Sequence, residues 1–400
     1  MAKKKTSSTN KPRTRKRPTP KDIAVAARLS WPQVLAFRLA RHHLDERVTP
    51  DRLLDVVRDL CGVHAQVMSS AELTALVRID GLERDMVADA LWRDRTLVKT
   101  WAMRGTLHLV PADELSLWNS ALAATYVDWY LGPDRLQWIG LSRDQIGAVT
   151  EAVATTLDRS TLTRDELMAR VADILGDPDL AAHVGGGWGT LLKPVAFAGR
   201  LCFAENEGRN VRFTNPRKWV RGYKEVPPAR AIPEVVRRFF RTYGPAGVPE
   251  FQRWWAVRPA QIRAMVATIA DELVDVEVEG RRMRLHVDDL DAIKRAGRPS
   301  GVRLLPAFDQ YVVNVTRNVD HILRSELKDR VYRQAAWVSQ IVLVEGRMAG
   351  VWKHERKGKR FIARVEPFET FNGRTRKSVE REAERYAAFY DATLELEWVD

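Results

Sequence analysis

The 400-residue sequence predicts an α+β chain, mainly α, with three helix–hairpin modules in tandem and a small β-rich unit at its C-terminal end. Three observations predict it. Apolar residues recur at helical spacing through most of the first 300 positions. Three of these helical stretches run into paired strand-like segments, near residues 97–110, 201–214 and 274–287. After residue 300 the chain turns to short runs rich in Val, Ile, Phe and Trp. The hairpins are unevenly spaced, so the chain reads as three related modules rather than a solenoid.

The first module opens with LSWPQVLAFRLARHHL and continues with helices around Leu53–Leu60 and Leu73–Ile79. RDMVADALWRDR reads as a further helix, and LVKTWAMRGTLHLVP as two strands about Arg104–Gly105. Helices followed by a hairpin are the outline of a winged helix. In the second module DELMARVADIL and GGGWGTLLKPVAFAGR precede RLCFAENEGRNVRFTNP, with EGRN as the turn. The third has IPEVVRRFFRTYG, PEFQRWWAV and PAQIRAMVATIADEL before VDVEVEGRRMRLHV, and Trp254 and Trp255 read as core. RLLPAFDQYVVNV and the segment from Ala336 to Phe368 predict a small antiparallel sheet or barrel, with VEGRM and ERKGK as turns. KSVEREAERYAAFYDAT is the closing helix. The basic tip KHERKGKR suits a phosphate backbone as well as it suits a solvated loop.

Composition excludes several classes. No run of about 18 apolar residues exists, so no membrane span is expected. MAKKKTSSTNKPRTRKRPTPK has no apolar segment and is not a secretory signal. Two cysteines, Cys61 and Cys202, make no disulfide framework and no zinc cluster. They suggest a reducing, cytoplasmic compartment, and neither a metal nor another cofactor is expected. Net charge is +13, and nine positive charges with no acid lie in residues 1–21. Such a tail cannot bury surface and is expected to be disordered. A basic arm on a mildly basic body fits a polyanion, or serves solubility alone.

The junction CGVHAQVMSS, from Cys61 to Ser70, sets His64 and Gln66 around one small residue between two helices. Both side chains donate and accept hydrogen bonds, and neither suits an apolar core. On chemistry alone they satisfy a helix joint.

LVKTWAMRGTLHLVPADEL, TYGPAGVPEFQRWW, LLPAFDQYVVNV and GRMAGVW, in this order, resemble the winged-helix DNA-binding family that contains the AlkZ and YcaQ DNA glycosylases. The resemblance runs from about Leu29 to the C-terminus. It implies three tandem winged helices and a small C-terminal β-barrel forming a concave DNA-binding channel. The divisions are then a tail over 1–22, winged helices over 23–150, 151–225 and 226–298, and the barrel over 299–400 with its DNA-contacting hairpin and terminal helix. It also implies a catalytic pair at the junction. AlkZ-like members carry Gln-x-Gln there and the YcaQ branch Gln-x-Asp; this chain has His64-Ala65-Gln66, which matches the AlkZ-like second position and departs at the first.

The activity implied is monofunctional hydrolysis of the N-glycosidic bond of bulky N7-alkylated purines in double-stranded DNA by a monomer at the nucleoid. Unhooking of interstrand crosslinks and self-resistance to alkylating genotoxins belong to the same expectation. An N7-alkylated purine is a cationic leaving group and needs a placed water more than an acid. Gln66 can orient that water, and His64 can accept its proton or hold it. No Lys lies in the junction to act as a lyase amine, and Lys99 reads as a phosphate contact in the first wing. Arg104, Thr106 and His108 alternate as on one strand face, lining the channel or completing the wing's own bonds. Asp309 positions an Arg, steadies a cationic sugar or caps a helix, with Gln310 beside it. Trp352 and Lys353 are placed on the DNA-contacting hairpin. Gly185–Gly187 lacks the GxxxxGK[ST] context of a phosphate loop. The alternative is a non-enzymatic winged-helix transcription regulator, since fold alone does not give activity.

Overall fold

The computed structural model describes residues 24–186, 189–314 and 319–399. The basic tail therefore lies outside the described residues, as does Gly187 of the glycine run.

Three small sheets and one larger sheet organise the helices. In the first, strands β2 (Val63–His64), β3 (Leu97–Trp101) and β4 (Leu107–Pro111) take the order β2-β4-β3. The second has β5 (Leu162–Thr163), β6 (Cys202–Glu207) and β7 (Asn210–Thr214) in the order β5-β7-β6. The third joins β8 (Leu273–Val278) and β9 (Arg281–His286) to the N-terminal strand β1 (Ala27–Leu29), which runs parallel to β8. Each sheet holds a hairpin where the sequence places one. The partnership of β1 with β8 ties the start of the chain to a hairpin some 250 residues later, a link that local pattern does not reveal.

The C-terminal region corrects the expected barrel. Strands β10 (Val302–Leu305), β11 (Gln340–Val344), β12 (Arg347–Lys357), β13 (Arg360–Pro367) and β14 (Thr393–Trp398) form a sheet in sequence order. Strands β10 and β14 are its edges, so among the described residues the sheet does not close. The helix Gly373–Phe389 is a crossover rather than the chain's end: it returns the chain so that β14 lies parallel to β13. Parallel neighbours need such a connection.

Local chemistry sets the helix ends. Ser30 with Gln33 and Thr163 with Glu166 form capping boxes at Trp31–Arg41 and Arg164–Leu175. Gly176 ends the latter in the left-handed conformation. The run RDMVADALWRDR is less regular than expected, a single turn Met86–Ala88 leading into a π-turn Asp89–Arg93. Helix Pro228–Tyr243 buries Phe239, Phe240 and Tyr243 on one side and presents Arg237, Arg238 and Arg241 on another. Those arginines pair with Glu234, Glu272, Glu114, Asp288 and Asp289. Trp254 and Trp255 are core, as expected. Trp101 of β3 packs edge-on against Phe203 of β6 at 4.7 Å, joining the first two sheets.

Candidate functional site

Helix Leu53–Asp59 ends in two residues with positive φ, Cys61 at 59° and Gly62 at 89°. A Cβ on Gly62 would lie 3.1 Å from the Leu109 carbonyl oxygen and from Val110 Cγ1, so only glycine passes here without strain. This turn delivers Val63 and His64 onto the edge of β4, opposite Leu109 and His108. The Ala65 amide donates to Leu107 O at 2.7 Å, after which the chain enters helix Met68–Arg78. The junction is thus a two-residue strand, Val63–His64, followed by a bend at Gln66 and Val67 that turns the Gln66 side chain away from His64. His64 is 6% exposed, Ala65 is buried, and Gln66 is exposed, its Oε1 taking a long bond of 3.5 Å from the Leu107 amide.

His64 sits among rings. Its imidazole stacks on Phe308 with centroids 4.9 Å apart and planes 10° from parallel. His108 meets it edge-on at 5.4 Å. His64 Nδ1 is buried without a protein partner. Burial, assisted by the nearby Arg104 charge, pushes its pKa down to about 3, so the ring is neutral at pH 7. His108 is likewise held well below the usual range, by burial and then by His64 and Arg104. Its Nδ1 lies 3.0 Å from the Thr106 carbonyl, which only accepts, so that nitrogen carries the proton.

Two buried anchors fix this arrangement. Asp309 follows Phe308 directly and takes both terminal nitrogens of Arg78, at 2.7 and 2.9 Å, with both side chains fully buried. Arg78 belongs to the helix that starts just after the junction, so the pair clamps the Phe308 loop to it. Asp309 Oδ1 also accepts from the Tyr311 amide at 2.9 Å, capping helix Gln310–Asn314. The second anchor is a chain of hydrogen bonds. Arg104 Nη1 donates to Asn314 Oδ1 and to Trp254 O, both at 3.2 Å. Asn314 Nδ2 donates to Gln310 Oε1 and Tyr243 Oη at 2.9 Å, and Tyr243 donates to Leu60 O at 2.7 Å. Gln310 Nε2 remains buried without a protein partner.

The sequence-predicted residues therefore fall into different environments. His64, His108, Asp309 and Gln310 are buried, and Arg104 is half-buried with its bonds to Trp254 O and Asn314. Arg104 does not alternate with Thr106 and His108 on one strand face: it lies in a turn with φ of 60°, ahead of β4. Thr106 donates to Met103 O at 3.0 Å and so completes its own loop. Asp309 does position an Arg and cap a helix, which leaves both its oxygens engaged. Lys99 is half-buried over the Phe203 ring at 5.5 Å, and burial lowers its pKa. Trp352 is core: it is buried and donates to Leu305 O at 2.9 Å, so it does not project from the hairpin toward a duplex. The next residue, Lys353, is exposed, as the alternation of β12 requires. At the basic tip Lys357 pairs with Glu355 and Arg360 with Glu395, so part of that charge is already met.

Phe308 and Arg78 escaped sequence reasoning. Phe308 stands inside LLPAFDQ, yet its φ of 59° and its stacking on His64 leave no mark in a local pattern. Among the described residues no group of three or more His, Cys, Asp or Glu is placed to hold a metal, and no described helix is long and apolar enough to cross a membrane.

Three comparisons bear on this geometry. The family described as "DNA glycosylase AlkZ-like" matches residues 57–389. The interstrand DNA cross-link repair glycosylase of Streptomyces sahachiroi is 35% identical over 363 residues, covering 90% of this chain and 96% of its own. The solved structure of the S. sahachiroi DNA glycosylase AlkZ superposes with a TM-score of 0.84 at 34% identity, covering 93% of this chain and all of that one. These matches decide against a non-enzymatic regulator: the chain belongs to the AlkZ-like family of DNA glycosylases, hydrolases of N-glycosyl bonds.

Proposed function

We propose that this chain is a monofunctional glycosylase that removes bulky N7-alkylated purines from double-stranded DNA, with its chemistry at His64 and Gln66. The observation that carries the reading is a neutral imidazole, locked against Phe308 and His108, two residues from an exposed amide in the bend that follows its strand. N7 alkylation places a positive charge on the purine. The C1′–N9 bond then breaks with its electrons drawn into the ring, and the base leaves neutral. A water oxygen bonds to the oxocarbenium carbon and loses one proton to solvent.

The protein's task is to place that water and stabilise the cationic sugar. Gln66, its amide engaged by one long bond, is free to orient water with its oxygen or its NH₂. A ring with pKa of about 3 is a poor acceptor of a whole proton at pH 7, because an effective general base lies near the working pH. His64 therefore holds the water by hydrogen bonding rather than carrying the proton away. With no amine at the junction, the product is an intact abasic site.

The relative from S. sahachiroi is named for cross-link repair. With 35% identity across nearly the whole chain, the same class of lesion is proposed here, together with a role in self-resistance to the agents that make it. The three helix–sheet units are taken as winged helices on the duplex, the 299–400 unit as a further contact, and the chain as a monomer around DNA. The tail's nine positive charges would tether it to the phosphate backbone. Cys61 and Cys202 are both free and buried, which suits a reducing cytoplasm at the nucleoid. Wild-type protein should convert N7-methylguanine and bulky N7-alkylguanine in duplex DNA to abasic sites, read as strand breaks after alkali. Tight binding without abasic sites on either substrate would contradict the proposal.

A further inference from the structure

Phe308 has a second aromatic neighbour. Trp337 meets its edge at 4.9 Å and 73° and is 45% exposed, an unusual state for so large an apolar ring. A tight turn presents it: Ala335 and Ala336 have φ of 54° and 57°, and the Arg333 amide donates to Trp337 O at 2.8 Å. Beyond it lies a hollow of about 580 Å³, within the size range of sites for drug-sized ligands. Val67 of the junction, Leu73, Val351 and the buried Trp352 give it an apolar side, and Asp329 and Glu366 stand among the polar groups that line the rest. His64, Phe308 and Trp337 thus form one continuous aromatic ladder, with ring spacings of 4.9 Å at both steps, running from the candidate site to the apolar side of a mixed recess.

We propose that this hollow receives the aromatic substituent carried on N7 of the damaged purine, with Trp337 as its stacking wall. The inference rests on the reading that the base is cut beside His64. A multi-ring group on a short linker from N7 bridges the two ring spacings and exchanges water for the faces of Trp337 and the aliphatic wall. The rim adds charge complementarity: Arg333 and Lys353 are exposed at the hollow and suit the phosphates that flank such an adduct. Arg330 is already committed to Glu366. A methyl group on N7 does not reach the hollow, so Trp337 distinguishes bulky lesions from small ones.

The test is single-turnover excision from two duplexes, one with N7-methylguanine and one with an N7-guanine adduct bearing two or more fused aromatic rings. Because a stacked aromatic wall is lost, Trp337→Ala should lower the ratio of bulky to methyl excision efficiency about tenfold, and Trp337→Phe should recover much of it. Ser69→Trp, which fills the recess from an exposed position on its wall, should lower the same ratio. An unchanged ratio in variants that still excise N7-methylguanine overturns the pocket while leaving the glycosylase intact. Wild type that excises neither adduct overturns the reading of the site, and the pocket with it.

Discussion

The His64 imidazole lies flat on Phe308, 4.9 Å away and 10° from parallel, and Phe308 reaches that position through a backbone φ of 59°. A bulky residue in the left-handed region costs on the order of 1–3 kcal/mol and persists where surrounding structure over-determines it. Here the Arg78–Asp309 pair over-determines it. The stacked ring keeps water from one face of His64 and holds it neutral. Phe308→Ala should raise the His64 pKa from about 3 toward the ordinary value of 6.5, followed by NMR of the ring protons. Excision should fall by about tenfold or more as the imidazole loses its fixed pose.

The state of His64 also sets the pH dependence of the reaction. A ring that titrates near 3 contributes no limb between pH 5 and 8, so excision should be flat across that range. A limb near 6.5 that disappears in His64→Gln would instead mark His64 as a general base.

Stability should respond to acid. His42, His64 and His108 are all depressed, chiefly by burial. Between the unfolded value of 6.5 and the folded one, the unfolded chain binds more protons than the native protein. The stability these groups contribute is therefore complete above about 6.5 and is lost as pH falls, with the His64 share exhausted near 3. Urea unfolding at pH 7 and pH 5 should show the loss, with a smaller slope in His64→Gln.

The buried ion pair is a clamp, and removing one member leaves a buried charge uncompensated. Asp309→Asn or Arg78→Met should each cost about 3–5 kcal/mol in unfolding measurements. A double change to apolar residues should recover part of that loss. Additive costs would mean the two side chains act separately.

Gly62 makes the junction. Gly62→Ala places a Cβ 3.1 Å from the Leu109 oxygen at a φ of 89°. The variant should lose about 1–3 kcal/mol and shift His64 against β4. Its excision should fall further than that stability loss explains at temperatures where it stays folded.

The sequence made the helix–hairpin modules legible because each hairpin is local: Leu97–Pro111, Cys202–Thr214 and Leu273–His286 carry their own turns and period. What it hid was non-local. The pairing of β1 with β8 and the clamp of Arg78 on Asp309 cross some 250 and 231 positions. The last strand carries a local signal, since TLELEW alternates, but its partner does not: the parallel pairing with β13 spans the helix Gly373–Phe389 and is invisible to a local pattern. His64 and Gln66 stand out by resemblance to a family motif rather than by spacing. Trp352 shows the opposite failure: its neighbour Lys353 faces outward, and two residues adjacent on a strand point to opposite faces.

The most direct measurement is single-turnover excision of a bulky N7-alkylguanine from duplex DNA by wild type, His64→Ala and Gln66→Ala, with binding followed in parallel. The account predicts abasic sites with wild type, loss of about 100-fold or more in each variant, and DNA affinity within a few-fold of wild type. Variants that bind and excise as wild type does would place the chemistry elsewhere in the fold.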